Sequence, residues 1–307
     1  MTRAVVFAYH NVGVRCLSVL LAHNVEVPLV ITHIDSASEN IWFDSVEKLA
    51  TINRLPCATP TDPNTPEWIE RIRALQPDLI FSFYYRHMLT TELLATARLG
   101  AYNLHGSLLP KFRGRVPINW AVIKGERVTG ATLHRMVAKP DAGPMVAQQS
   151  VPILPDDTAY EVFQKVTLAG ELVLDRVLSS LSTGTAVETP LDLSAGSYFG
   201  GRKPEDGRID WTLGAQTIHN LIRGVAPPYP GAVTVIQGKP LRILRSRLDR
   251  TLRADPSNVS FYVDGARLLA DCIDARVLEL LHVEYENRIL DAAGFTQLFG
   301  ATRVNIT

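Results

Sequence analysis

Short apolar runs alternate with longer stretches of helical periodicity through the first two-thirds of the chain. The runs "AVVFAY" (residues 4–9), "VPLVIT" (27–32), "DLIFSFY" (78–84), "GAYNLH" (100–105) and "GATLHRMV" (130–137) are each bounded by turn formers or helical stretches. They predict buried strands. Between them, residues 12–23, 45–54, 66–75 and 90–96 carry apolar positions at helical spacing, and Pro66 follows Thr65 as a helix-start residue should. Strands alternating with helices predict an α/β unit: a Rossmann-like, mostly parallel sheet covered on both faces. A long helix over residues 158–181, with Asp156 or Asp157 available as cap, would close it.

The texture then changes. Residues 182–207 are rich in Gly, Ser, Thr and Pro and predict a linker. After a helical stretch at 213–224, the segments "AVTVIQGKPLRILRSRL", "VSFYVDGARLLADCID" and "ARVLELLHVEYE" read as strands, with "QGKP" and "DGAR" as hairpin turns. The expected plan is a larger α/β domain over 1–203 and a small, β-rich, barrel-like domain over 204–307.

Composition narrows the setting. A length of 307 residues suits two domains, and 46% apolar with 20% charged residues describes a chain that folds. Lys+Arg and Asp+Glu are both 31, so no basic excess is available to hold a nucleic-acid backbone. Cys16, Cys57 and Cys272 lie far apart without a C-x-x-C pair and read as reduced thiols. Neither a signal-peptide core nor a run of about 18 apolar residues occurs, so a cytoplasmic protein without membrane insertion is expected.

Candidate chemistry concentrates in "NLHGSLLPKFRGR", residues 103–115, at the end of the fourth long strand. Strand alternation points Asn103 and His105 the same way, and in a parallel open sheet the carboxyl ends of strands are where ligands bind. "KPDAG" (139–143) follows the next strand and would bring Asp141 to the same rim. An amide, an imidazole and a carboxylate suit acyl or formyl transfer to an amine. Asn103 would donate a hydrogen bond to the developing oxyanion, His105 would move the proton between nitrogens, and Asp141 would orient His105 and raise its pKa. Arg113, Arg115 and Arg202 offer charge for a phosphate, and Tyr9 and Asn11 follow the first strand, where a substrate contact is expected. No G-x-G-x-x-G is present, so no nicotinamide cofactor is expected, and no histidine shows metal-ligand spacing. His134 and His219 are accordingly expected to be structural.

"NLHGSLLPKFRGRVP" with the downstream "DAG" resembles the signature of the 10-formyltetrahydrofolate-dependent formyltransferases, and "FAYHNVG", "FSFYYRHM" and "GGRKPEDGRIDW" extend the similarity over nearly the whole chain. Within that family "FSFYYRHM", "RVPINW" and "TLHRMV" are most similar to the enzymes of UDP-4-amino-4-deoxy-L-arabinose, the formyl-transfer part of ArnA. The resemblance implies a transferase of lipid A modification and polymyxin resistance. It makes His105 the proton-transfer residue, Asn103 the oxyanion stabiliser and Asp141 the group that raises the pKa of His105. It also implies that 10-formyltetrahydrofolate lies against His87, Met88, Leu89, Arg115, Val137, Ala138, Lys139, Pro140 and Asp141, and that Tyr9, Asn11, Arg113 and Arg202 meet a nucleotide sugar. These 307 residues match only the formyl-transfer part of ArnA and not its dehydrogenase half, which leaves a sister amino sugar open, and a homo-oligomer is possible. Methionyl-tRNA formyltransferases share the signature but usually carry a basic insertion after the second strand. Here that region, "THIDSASENIWFDSVEK", is acidic on balance.

Overall fold

A computed structural model of the protein describes residues 1–37, 39–256, 259–300 and 303–305. The chain divides into two compact units, the first made of Met1–Pro117, Val128–Pro152 and Gln164–Gly200, the second of Ile118–Arg127, Ile153–Phe163 and Gly201–Thr307. Residues 118–127 and 153–163, which the expected plan placed in the larger domain, thus belong with the second unit.

In the first unit, strands β1 (Arg3–Ala8), β2 (Glu26–Ile31), β3 (Cys57–Ala58), β4 (Leu79–Phe83) and β5 (Gly100–His105) form the parallel part of a seven-stranded sheet. After a two-residue strand β6 (Arg113–Gly114), β7 (Val128–Arg135) and β8 (Met145–Pro152) complete it in the order β3-β2-β1-β4-β5-β7-β8. The last two are the antiparallel minority of the mostly parallel sheet: β7 runs antiparallel to β5, and β8 antiparallel to β7. β1 and β4 sit in the middle and are buried on both faces, so they read as unbroken apolar runs. Phe7, Ile80 and Phe81 are fully buried, each stabilising the fold by about 1.5–3 kcal/mol.

Helices α1 (His10–Ala22), α2 (Val46–Ile52), α3 (Pro66–Ala74) and α4 (Thr91–Leu94) connect the strands as the periodicity predicts. Thr65 caps α3 by accepting from the Trp68 N–H, with Pro66 in its first turn. The short α5 (Pro117–Ile123) precedes β7, and α6 (Ala159–Thr183) follows β8. Its cap is Thr158, whose hydroxyl accepts from Glu161 N–H while the Glu161 carboxylate accepts from Thr158 N–H, a reciprocal box that displaces the expected Asp156 or Asp157. Asp157 is used elsewhere, accepting from Leu154 N–H.

Within the expected linker, residues 184–200 form a strap on the first unit, and the chain enters the second unit at Gly201. Thr189 exchanges two backbone hydrogen bonds of 2.8 Å with Met145, and β9 (Tyr198–Phe199) pairs parallel with β6. Glu188 accepts from Tyr102 Oη and Arg135 Nε, and Ser197 Oγ from Phe112 N–H. Gly- and Ser-rich composition signals irregular backbone; it does not tell whether that backbone is docked.

The second unit carries α7 (Ala215–Val225) and a curled antiparallel half-barrel: β10 (Ala232–Ile236), β11 (Lys239–Asp249), β12 (Ser260–Asp264), β13 (Arg267–Asp271), β14 (Val277–Tyr285), β15 (Arg288–Leu290) and β16 (Val304–Asn305). Both predicted hairpins form. At the β10–β11 turn Gln237 and Gly238 take φ of 49° and 74°, the paired left-handed geometry that matches strand twist. α7 buries Ile218, Ile222 and Val225 against a core that includes Phe261, Leu278 and Phe295. Near the end of the chain lies helix α8 (Ala292–Phe299), whose Phe295 and Phe299 fall one turn apart on its buried side.

Candidate active site

The carboxyl half of β5 carries Asn103 and His105, the two polar candidates of the sequence. Asn103 and His105 share a face of the sheet, and across the antiparallel pairing Asn103 lies opposite His134 and His105 opposite Thr132, which places those four side chains on the same face. The loop after His105 is pinned from behind. Thr132 Oγ1 donates to Ser107 O at 2.6 Å and accepts from Leu109 N–H at 3.1 Å and from Gln148 Nε2 at 2.9 Å, so one buried hydroxyl fixes three groups. Ser107 Oγ donates to Lys111 O at 2.6 Å.

So held, the loop turns the Phe112 carbonyl onto the imidazole. His105, 6% exposed, donates its Nε2–H to Phe112 O at 2.8 Å. A carbonyl only accepts, so the proton of the neutral ring sits on Nε2, and Nδ1 is the basic nitrogen. Nδ1 faces Asp141 Oδ1 at 3.5 Å, long for a hydrogen bond.

Asp141 reaches His105 by an unforeseen route. Because β7 is antiparallel to β5, it ends beside Tyr102, away from the rim where His105 stands. Residues 136–144 must therefore fold back over the sheet face. Asp141 takes φ of 50°, a left-handed conformation that Asp tolerates, and its Oδ2 accepts from Gly114 N–H at 2.8 Å. Gly143 is needed for the return: a Cβ there would stand 1.9 Å from the Arg135 carbonyl oxygen. Gly114 has φ of 100°, and a Cβ on it would lie 2.1 Å from Phe199 O. Two glycines of the motif thus serve close backbone approach.

Electrostatics correct one expectation. Burial pushes the His105 pKa below the usual imidazole value; Asp141 and the Phe112 carbonyl push it up, but less. The ring is neutral near pH 7. Asp141, itself opposed by burial, is held down to about 2, chiefly by His105 and by the Gly114 N–H, so it stays ionised. Asp141 acts in the expected direction and is outweighed. The arrangement pairs a neutral base with a carboxylate that stabilises the cation formed when the base takes a proton.

His134, expected to be merely structural, belongs to this cluster. It is 2% exposed, its Nε2 stands 3.1 Å from Asn103 Nδ2 and 3.6 Å from Asp141 Oδ1, and its Nδ1–H donates to Arg135 O at 3.0 Å. The available signal was its place in "TLHR", an alternating strand that could pair with "GAYNLH".

The remaining expected residues fall in three places. Beyond β4, His87 and Met88 are exposed, whereas the Leu89 side chain is in the core beside Leu93, so only its main chain can serve a ligand. Asn64 steadies that loop, donating to Met88 O at 3.0 Å and accepting from Thr90 N–H at 2.8 Å. Tyr9 is buried, its hydroxyl donating to Asp35 at 2.6 Å, with Arg86 over its ring; Asn11 accepts from Asp44 N–H. Val137, Ala138 and Lys139 are exposed along the returning loop, with Pro140 half-buried before Asp141. Arg115 is exposed, while Arg113 has a buried Nε without a hydrogen-bond partner among the described residues. Arg202 belongs to the second unit, where burial lowers its pKa against the pull of Asp206 and Tyr229. A cleft of about 370 Å³ beside Met1, His23 and Ser182 opens near the amino end of β1 and contains none of the expected site residues.

Among the described residues no group of three His, Cys, Asp or Glu side chains is placed to hold a metal, and no helix is long and apolar enough to cross a membrane. The fold is similar to that of an N-formyltransferase from Helicobacter canadensis in complex with folinic acid and dTDP-3-aminofucose: TM-score 0.75, 20% identity, 91% of this chain and 99% of that one covered. It is similar also to WlaRD, a sugar 3N-formyl transferase crystallised with dTDP and 5-N-formyl-THF, with TM-score 0.71, 19% identity and coverage of 94% and 99%. A sugar N-formyltransferase from Shewanella sp. gives TM-score 0.62 at 20% identity, covering 79% of this chain and 96% of that one. A family model described as formyl transferase matches residues 19–178, and one described as formyl transferase, C-terminal domain, matches 202–299. The first stretch takes in Asn103, His105, His134 and Asp141, the second α7 and most of the antiparallel half-barrel, and the chain accordingly belongs to the formyl transferase family.

Proposed function

We propose that the protein transfers a formyl group from 10-formyltetrahydrofolate to the amine of a nucleotide-linked amino sugar. The observation that carries this reading is the buried, neutral His105 with its basic Nδ1 facing an ionised Asp141, on the same sheet face as the amide of Asn103. When the acceptor nitrogen attacks the formyl carbon, the carbonyl oxygen becomes an oxyanion, to which Asn103 donates an N–H. The attacking nitrogen loses a proton to His105 Nδ1, and Asp141 stabilises the imidazolium. As the bond between the formyl carbon and N10 of the folate breaks, His105 returns that proton to N10, giving the formamide and tetrahydrofolate. General acid–base transfer contributes about 10²–10⁴-fold, and oxyanion donors a similar amount.

The loops at His87–Leu89 and Val137–Asp141, together with Arg115, are the proposed folate contacts, since exposed main chain can read the edge of a pteridine. Arg113, with its unpartnered Nε, and Arg115 are the proposed diphosphate contacts. Tyr9 and Asn11 stand at the carboxyl end of β1, on the sugar-nucleotide side of this proposal. The finer acceptor is the 4-amine of UDP-4-amino-4-deoxy-L-arabinose, favoured by the similarity of "FYYRHM" and "VPINW"; the product would then serve lipid A modification. The dTDP-linked 3-amino sugar bound by the Helicobacter canadensis protein is the rival acceptor. The test is kcat/KM with 10-formyltetrahydrofolate for the UDP-sugar, the free amino sugar, a dTDP-amino sugar and charged initiator tRNA. The UDP-sugar is expected to lead and the free sugar to be poor, because binding energy remote from the amine is lost. Preference for the dTDP compound overturns the acceptor; formylation of tRNA alone overturns the sugar reading.

A further inference from the structure

The orientation of Asn103 decides what it can do, because an amide has a donor end and an acceptor end of nearly equal shape. Its terminal torsion is broad and roughly two-fold, so nothing within the residue selects which end faces a ligand. His134 selects it. The imidazole commits its Nδ1–H to Arg135 O at 3.0 Å, which leaves Nε2 as a lone pair. That lone pair can only accept, and of the two ends of the Asn103 amide only the NH2 can donate; Asn103 Nδ2 is 3.1 Å away. The NH2 end of Asn103 is therefore turned toward His134, with one N–H donated to the ring and the second left for the reacting carbonyl oxygen.

We infer that His134 is a positioning residue: it holds the Asn103 amide in the donor orientation, so that Oδ1, an acceptor that would repel an oxyanion, does not occupy the place of the N–H. This rests on the reading of Asn103 as the oxyanion donor. The imidazole is well suited to the task, since it is 2% exposed, lies opposite Asn103 in the sheet register and has its tautomer set by the main chain.

The experiment compares His134→Leu, which removes the acceptor, with His134→Gln, whose Oε1 reaches the place of Nε2, alone and with Asn103→Ala. kcat and KM are measured for 10-formyltetrahydrofolate and the amino-sugar nucleotide. His134→Leu is expected to lower kcat by about ten- to a hundredfold with both KM values within about threefold, and His134→Gln to recover most of the loss. In the Asn103→Ala background, His134→Leu should change kcat by less than about twofold, because there is no amide left to orient. An equal loss in both backgrounds, or no loss in either, overturns the positioning role. If Asn103→Ala alone keeps the wild-type kcat, the oxyanion reading falls and the positioning role with it. Should Leu at 134 not fold, the wild-type protein decides the matter. The Asn103 side-chain NH2, assigned by its absence in Asn103→Ala, should exchange with solvent at least about tenfold more slowly than an exposed asparagine, and exchange at the exposed rate overturns the inference.

Discussion

Two buried histidines, one in each unit, begin from the same arrangement. His105 and His219 are 6% and 1% exposed; both donate Nε2–H to a backbone carbonyl, of Phe112 and Pro155, and both stand within 3.5 Å of an aspartate. Burial lowers the pKa of each. They differ at Nδ1. In His219 it accepts from the Ser246 hydroxyl at 3.0 Å, and Asp156 beside Nε2 is mostly exposed. In His105 the same nitrogen faces Asp141 at 3.5 Å without a closed hydrogen bond, and that carboxylate is itself half-buried and ionised. A histidine with both nitrogens saturated is a structural cross-link. One left with a lone pair toward a half-buried anion can take up a proton, and the carboxylate stabilises the result.

The largest effects should separate the two. His105→Ala or Asn103→Ala is expected to lower kcat by about a hundredfold or more while circular dichroism stays that of the wild type. His219→Ala should leave kcat of the folded protein within about twofold and lower stability by about 2–4 kcal/mol, since it opens a cavity and orphans the Pro155 carbonyl and Ser246 hydroxyl. Denaturant unfolding alongside initial rates checks both. Equal kcat losses at the two histidines would erase the distinction.

A pH series sharpens it. The folded pKa of each ring lies below that of the unfolded chain, so near pH 7 both states are neutral and neither ring alters stability. As pH falls below about 6.5 the unfolded chain binds protons first, and stability is lost progressively. Asp141, held at about 2, contributes fully above about pH 4 and loses its contribution as pH drops toward 2. Tm should therefore fall between pH 7 and pH 5, and the His105 limb in kcat/KM should lie below the usual imidazole value. A Tm that rises over that interval, or an acid limb at or above 6.5 that shifts when His105 is changed, contradicts the sign. The smallest effect is that of Ser246→Ala, which removes one hydrogen bond from the His219 ring: about 1 kcal/mol of stability, with kcat unchanged.

The comparison also marks what could be read from residues alone. "GAYNLH" and "HGSLLPKFRGR" announced chemistry because two polar side chains at i and i+2 on an apolar strand must face one way, and neither pairs within its own strand. The same argument could not reach His134. Alone it is a polar residue in a strand, and its role depends on pairing β7 with β5 in a register that sets it opposite Asn103. The strap at residues 184–200 escaped for a like reason: its contacts to Met145, Phe112 and Arg135 are distant in sequence.

By itself the sequence determined the order of strands and helices, the buried middle of the sheet, the two hairpins of the half-barrel and the shared face of Asn103 and His105, because these follow from side-chain periods of two and 3.6 and from local turn chemistry. Only the tertiary structure decided that β7 runs antiparallel, that residues 136–144 fold back to carry Asp141 onto His105, that His134 lies opposite Asn103, and that burial lowers the His105 pKa. Those outcomes depend on groups brought together through space. Desolvation, which overcame the nearby carboxylate at His105, is set by everything packed around the ring, and a linear pattern of residues records only neighbours along the chain.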